Sequence, residues 1–363
     1  MKRKTILLVL AVVLVGAVCM RGRARPVAFL DGQVRDIVAG APGVFWLEVP
    51  ATEGPVRLVG LPHGGGRPVV IMNGHDLRSV FLDGQRLLVV GSTGPEIETG
   101  QLTIIDLRTG ERESFDGLHR PQGIWAEGER MCWAEARQAR GASVMHVPVL
   151  QHLQAIRAGT PGQARLLGVA ESSQPHFTGQ ILGSDGTHYY WVERVGEGLS
   201  EGATVVRRCA AETGEAEALA RGVGSNVGVL SRDSLWWTTY SREMSSPGSG
   251  RCVTRQPLEG GEPAEVTDWL PSTGALVAEG STVWFAGGGH LWRVPATLAD
   301  PVPVAVSGAN GPGQATVYRG NEYSPEQLED RSAIVRRPVS PWGALRAALC
   351  VPGSLESVGQ VTP

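Results

Sequence analysis

The chain has 363 residues, 42% of them hydrophobic, and its 49 glycines and 24 prolines make up 20%, below the level of a low-complexity chain, so it folds around a sizeable core. Its 33 basic residues face 36 acidic ones, but six of the basic residues (Lys2, Arg3, Lys4, Arg21, Arg23 and Arg25) lie in the first 25 positions, which hold no acid. The remainder, 27 basic against 36 acidic, is a body of net charge −9, and this argues against nucleic acid as a partner.

Lys2, Arg3 and Lys4 precede an uncharged apolar run from Ile6 to Met20. This pattern is read as an N-terminal apolar helix, a signal anchor or signal peptide over residues 1–25, with no A-x-A site to place a cleavage. Either reading puts the body outside the cytoplasm: anchored to a membrane and facing the periplasm or exterior, or secreted. Cys132, Cys209, Cys252 and Cys350 form no C-x-x-C pair, so a zinc site has no support in their spacing. Cys132, inside Met131-Cys132-Trp133, reads as a buried thiol, and a Cys209–Cys252 disulfide is left as an alternative to free thiols.

From residue 26 a period near 45 organises the chain. Hydrophobic triplets recur at Phe45-Trp46-Leu47, Leu87-Leu88-Val89, Met131-Cys132-Trp133, Tyr189-Tyr190-Trp191, Leu235-Trp236-Trp237 and Val283-Trp284-Phe285. Asp83-Gly84, Glu127-Gly128, Asp185-Gly186 and Glu279-Gly280 precede four of them, and an acid-Gly pair between apolar runs marks a hairpin because Gly reaches φ > 0 without steric cost. A short strand lies upstream of each turn, as at Asp36 to Ala39 and Ser79 to Leu82. A third follows the triplet, as at Leu102 to Leu107, Val144 to Val149 and Cys252 to Arg255. A fourth run follows Thr109-Gly110-Glu111, Thr213-Gly214-Glu215 and Gly260-Gly261-Glu262.

Six units of four antiparallel strands predict an all-β fold, a six-bladed β-propeller over residues 26–308. The triplets then read as strands covered on both faces, with their tryptophans in the core. The longer third interval is assigned to a helix over Leu150 to Arg157, apolar at i, i+3 and i+6. Residues 309–363 are read as a partly mobile tail packing on the propeller, with Ser324-Pro325-Glu326-Gln327 starting a helical turn.

Tyr190-Trp191-Val192-Glu193, Trp236-Trp237-Thr238-Thr239 and the later Arg255-Gln256-Pro257-Leu258-Glu259-Gly260-Gly261 resemble the repeats of YWTD-type and TolB-like six-bladed propellers and their bacterial relatives. The resemblance implies an extracytoplasmic binding role and carries over no catalytic residue.

Counted back from the triplets, the loops that join one unit to the next align, and they offer His75, Asp76, His119, Arg120, His176 and Asn226 as candidate ligand-binding residues at the mouth of the channel. Three imidazoles could polarise a ligand. Asp76 is the only carboxylate in the three His-bearing segments, so a lactonase-like metal set is not reproduced; no metal site and no cofactor are assigned. The sequence thus reads as a binding or scaffold module for a protein, peptide or glycan, with the membrane as a second partner through residues 6–20. The alternative is a lactonase- or lyase-like propeller enzyme acting on a small molecule in the channel.

Overall fold

The computed structural model describes residues 25–339, with breaks at 64–65, 93, 95–98, 145–146, 161–162, 173–179, 196–202, 224–227, 241–250, 268–272, 280–281, 288–289, 296–303, 309–314 and 329–330. The described chain is all β. It opens with β1 (Arg25–Phe29) and then forms successive four-stranded antiparallel sheets. Blade 1 holds β2 (Gly32–Gly40), β3 (Gly43–Pro50), β4 (Val56–Pro62) and β5 (Val69–Gly74). Blade 2 holds β6 (Asp76–Asp83), β7 (Arg86–Ser92), β8 (Thr99–Asp106) and β9 (Arg112–His119). Blade 3 holds β10 (Pro121–Glu127), β11 (Arg130–Val144), β12 (Val147–Ala158) and β13 (Arg165–Ser172). Blade 4 holds β14 (Gln180–Ser184), β15 (His188–Val195), β16 (Ala203–Ala210) and β17 (Ala216–Val223). Blade 5 holds β18 (Gly228–Leu230), β19 (Ser234–Tyr240), β20 (Arg251–Pro257) and β21 (Ala264–Glu265). Blade 6 holds β22 (Thr273–Glu279), β23 (Thr282–Gly287), β24 (His290–Pro295) and β25 (Val304–Gly308).

A seventh blade follows, and it corrects the six-bladed reading. Its strands are β26 (Thr316–Tyr318), β27 (Asn321–Leu328) and β28 (Arg331–Pro338), and its outermost strand is β1, so the two ends of the described chain share one sheet. Much of what reads as a C-terminal tail is therefore propeller. The first strand of each blade lies beside the first strand of the next, from β2 through β6, β10, β14, β18, β22 and β26 back to β2. These seven strands ring the axis.

The six triplets fall in the second strand of blades 1 to 6, and Asp83-Gly84, Glu127-Gly128 and Asp185-Gly186 make the turns before three of them, with Gly84 at φ +61° and Gly128 at φ +59°. Every second strand is flanked by the first and third strands of its own sheet and by sheets on both faces. That double burial is why these runs lose strict alternation. Trp46, Trp133, Trp191, Trp236 and Trp237 are buried as expected. One apolar cluster fills each interface between blades; Trp46, Ala28, Tyr323 and Ile334 close the ring between blades 7 and 1.

Two local expectations fail and a third holds only in part. Leu150 to Arg157 is not helical but lies in β12, whose His152–Ala158 segment is laddered on both β11 and β13. An eight-residue window holds too few turns to separate a 3.6-residue period from a buried strand. Val144 to Val149 is a third strand only in part: Val144 ends β11, and Val147 to Val149 open β12, the third strand of blade 3. Ser324-Pro325-Glu326-Gln327 lies inside β27, where β26 ends opposite Tyr323, so the missing N–H of Pro325 faces no partner strand and costs the sheet nothing.

Cys132, Cys209 and Cys252 are buried free thiols, so the Cys209–Cys252 disulfide is not formed. Cys209 packs with Cys132 and Trp191 between blades 3 and 4, while Cys252 lies on β20 of blade 5. Burial pushes the Cys252 thiol up to about 11, which leaves it unreactive. The apolar run Ile6 to Met20 lies outside the described residues; among those described, no helix is long and apolar enough to cross a membrane.

Candidate functional site

In antiparallel sheets of this order, all links from an outer strand to the next inner strand fall on one end of the ring, the connector face. His75 lies in the link between β5 and β6, and Asp76 opens β6; His119 ends β9, and Arg120 lies in the link to β10. Both histidines are exposed. His176 and Asn226 lie outside the described residues. Among the described residues no group of three His, Cys, Asp or Glu side chains is arranged to hold a metal ion.

The structure builds the site around Asp76 with two residues that the sequence reading passed over. Arg35 Nη1 donates to Asp76 Oδ1 at 2.6 Å and to the Leu77 carbonyl at 2.6 Å. Arg78 Nε donates to Asp76 Oδ2 at 2.7 Å, and Arg78 Nη1 reaches the Arg120 carbonyl at 3.5 Å. One carboxylate thus orients two guanidiniums from adjacent blades and joins the first link to the second. Burial alone would raise the Asp76 pKa, but the hydrogen bonds and charges of Arg35 and Arg78 outweigh it and hold the carboxyl below its ordinary value.

Both arginines reach the mouth because of a repeated backbone irregularity. The pairing of first and second strand shifts by one residue between Val34 and Asp36, between Leu77 and Ser79, between Gln122 and Ile124, and between Ile181 and Gly183. The extra residue of each bulge is re-aimed out of the alternation. In blades 1 and 2 that residue is Arg35 and Arg78; in blades 3 and 4 it is Gly123 and Leu182. The readable signal was an arginine just before the aligned strands Asp36 to Ala39 and Ser79 to Leu82.

Asp36, next to the first bulge, ties blade 1 to blade 2. It accepts from Val80 N at 2.8 Å, Ser79 Oγ at 3.1 Å and Ile37 N at 2.9 Å. Burial dominates these hydrogen bonds and raises its pKa.

Two buried glutamates fix the links themselves. Glu48 accepts from Trp46 Nε1 at 3.3 Å, Arg57 Nη2 at 2.8 Å and the Asp31 N–H at 2.7 Å. Glu135 repeats the pattern in blade 3: it accepts from Trp133 Nε1 at 3.0 Å and from the His119 N–H at 3.4 Å, and it is ion-paired with Arg157, whose Nε lies 2.9 Å away. The Arg120 backbone follows at φ 40°, a left-handed conformation that an arginine adopts only where its surroundings fix it. The mouth over blades 1 to 3 is therefore preorganised. Its chemistry favours holding oxyanions by planar guanidinium forks, and Asp76, clamped by two cations, is a poor proton acceptor.

No known family description matches this chain, and no curated protein matches it. Solved structures do. Acylaminoacyl peptidase bound to a Z-Gly-Gly-Phe-chloromethyl ketone is similar with a TM-score of 0.58 at 11% identity, over 85% of this chain and 52% of the peptidase. Oligogalacturonate lyase in complex with manganese has a TM-score of 0.58 at 11% identity, over 88% of this chain and 99% of the lyase. The propeller domain of the Trilobed protease from Pyrococcus furiosus, described as an open velcro topology, has a TM-score of 0.50 at 12% identity, over 72% of this chain and 78% of that domain. The chain spans about half the length of the peptidase. These likenesses define a β-propeller.

Proposed function

We propose that this chain is an extracytoplasmic β-propeller binding module, held at a membrane by residues 6–20, which seats a protein, peptide or glycan ligand on its connector face over blades 1 to 3. The Arg35–Asp76–Arg78 clamp carries this reading, because it presents two oriented guanidiniums beside His75, His119 and Arg120 on a body of net charge −9. Arrays of defined peptides and glycans, probed with the detergent-solubilised full chain, test it. The expected result is binding that falls at least tenfold in an Arg35→Gln/Arg78→Gln variant, the cost of about 1.4 kcal/mol of lost charge-assisted hydrogen bonding. Ligands retained equally by the variant would place function elsewhere.

One observation favours a second reading, a lyase-like enzyme. The similarity to oligogalacturonate lyase in complex with manganese covers 99% of that chain, so a fold of this size spans nearly all of the solved lyase. Unsaturated product from oligogalacturonate incubated with manganese and the chain would support catalysis; its absence at high enzyme concentration would leave the binding module.

A further inference from the structure

The end of the ring opposite the connector face carries a second surface, where blade 7 meets blade 1. β1 runs toward the connector link at Leu30 and Asp31, so its first residue, Arg25, lies at the opposite end, where it pairs with Arg336 of β28. The turn Arg319-Gly320 and the loop residues His63 and Gly66 to Pro68 lie at this same end, because they join first to second and third to fourth strands. Side chains join the two blades there. The His63 ring stacks on Tyr318 with centroids 4.9 Å apart, its Nδ1 lies 3.3 Å from the Tyr323 hydroxyl, and the Arg319 guanidinium lies 5.4 Å over Tyr318.

This rim is basic and apolar. Arg25, Arg67, Arg319 and Arg336 are exposed on it, beside Val69 at 59% and Val70 at 47% exposure. Among the described residues of blades 7 and 1 it holds no exposed carboxylate; their exposed acids, Asp31 and Glu53, sit in loops of the connector face. Glu279 of the neighbouring blade 6, half-buried at the edge of the rim, accepts from the Arg319 N–H. A basic, partly apolar edge on a body of net charge −9 matches one partner above others, an anionic bilayer surface.

We infer that the rim of blades 7 and 1 rests on anionic lipid headgroups and turns the Arg35–Asp76–Arg78 mouth away from the bilayer. The length of chain before Arg25 fits. Only residues 21–24 separate Met20 from β1, a reach of about 17 Å. The inference takes residues 6–20 as the anchor, as proposed above, while the rim stands on its own residues.

The test places a fluorophore at Val70→Cys on the rim or at Glu53→Cys on the connector face of the full chain, reconstituted in nanodiscs with headgroup-quencher lipid. In phosphatidylglycerol discs position 70 is quenched at least threefold more than position 53. Arg67→Gln/Arg336→Gln weakens this apposition about fivefold per arginine, with an unchanged melting temperature showing that the fold is intact. Equal quenching at both positions, or quenching at 70 that is indifferent to anionic lipid and to the arginines, overturns the inference. Alkaline carbonate extraction reports separately on the anchor. A chain released by carbonate, yet still quenched at position 70 on phosphatidylglycerol vesicles, would sink the anchor and keep the rim.

Discussion

Asp185 shows how one side chain sets a turn. Its carboxylate accepts from Thr187 N at 2.8 Å, His188 N at 2.7 Å, Thr187 Oγ1 at 2.8 Å and the Tyr190 hydroxyl at 2.7 Å, closing the hairpin into β15. Burial raises its pKa, but the Tyr190, Thr187 and His188 hydrogen bonds prevail and hold it at about 2. A carboxyl depressed in the fold stabilises at pH values above its unfolded pKa, about 4, and that stabilisation is lost as the pH falls through 2. Asp185→Asn is therefore expected to cost about 1 to 2 kcal/mol at pH 7, discounted for partial exposure, and the gap to wild type closes between pH 4 and pH 2. Urea denaturation across that range checks it, and a gap independent of pH would contradict the role of the charge. The acid-Gly pair was legible as a turn from residue type alone. The site was half legible: His75, Asp76, His119 and Arg120 follow from unit spacing, whereas Arg35 and Arg78 depend on a one-residue bulge that spacing does not report.

At the scale of the strand, the second strands of blades 1 and 3 carry a tryptophan followed two residues later by a glutamate on the same face, as side-chain alternation requires. Glu135 is 3% exposed and holds Trp133, Arg157 and the His119 backbone, so it couples packing to the candidate site. Removing one partner of a buried pair strands the other. Glu135→Ala is expected to destabilise by about 2 to 3 kcal/mol, below the value for a fully buried pair because the Arg157 side chain is 23% exposed. The cycle with Arg157→Ala should return a coupling above about 1 kcal/mol. A coupling near zero would reduce Glu135 to a packing residue. The tryptophans were readable as core, since large rings with few polar neighbours bury well between sheets. Their carboxylate partners were not, because a single glutamate in a strand has the same pattern as a solvated one. The Leu150 to Arg157 segment failed for the complementary reason: its spacing is shared by both structures, and only the ladders to β11 and β13 decide between them.

For the whole molecule, periodicity disclosed the propeller and missed its last blade. Six sheets are each cut from one stretch of chain, so they repeat; the seventh joins β1 to β28 across more than 300 residues and has a first strand of three residues, Thr316–Tyr318. No turn-plus-triplet signal can report a sheet assembled from two ends. This closure makes the ring's stability depend on a short segment. Ala28 and Leu30 are buried in the cluster that holds Trp46, Tyr323 and Ile334, and the Leu30 N–H donates to the Ser332 carbonyl at 2.9 Å. A chain beginning at Gly32 keeps blades 1 to 6 but leaves β28 as an open edge. Loss of these apolar side chains and one ladder is expected to cost about 3 to 5 kcal/mol. The loss should be local. Amide exchange of Ala333 to Val335 should accelerate by at least a hundredfold, with the Trp46 face of blade 1 following, while Tyr190 and Val192 of blade 4 keep their protection. Acceleration spread evenly over all blades would show that the ring unfolds as one unit, and unchanged β28 exchange would show that β1 does not hold the ring closed.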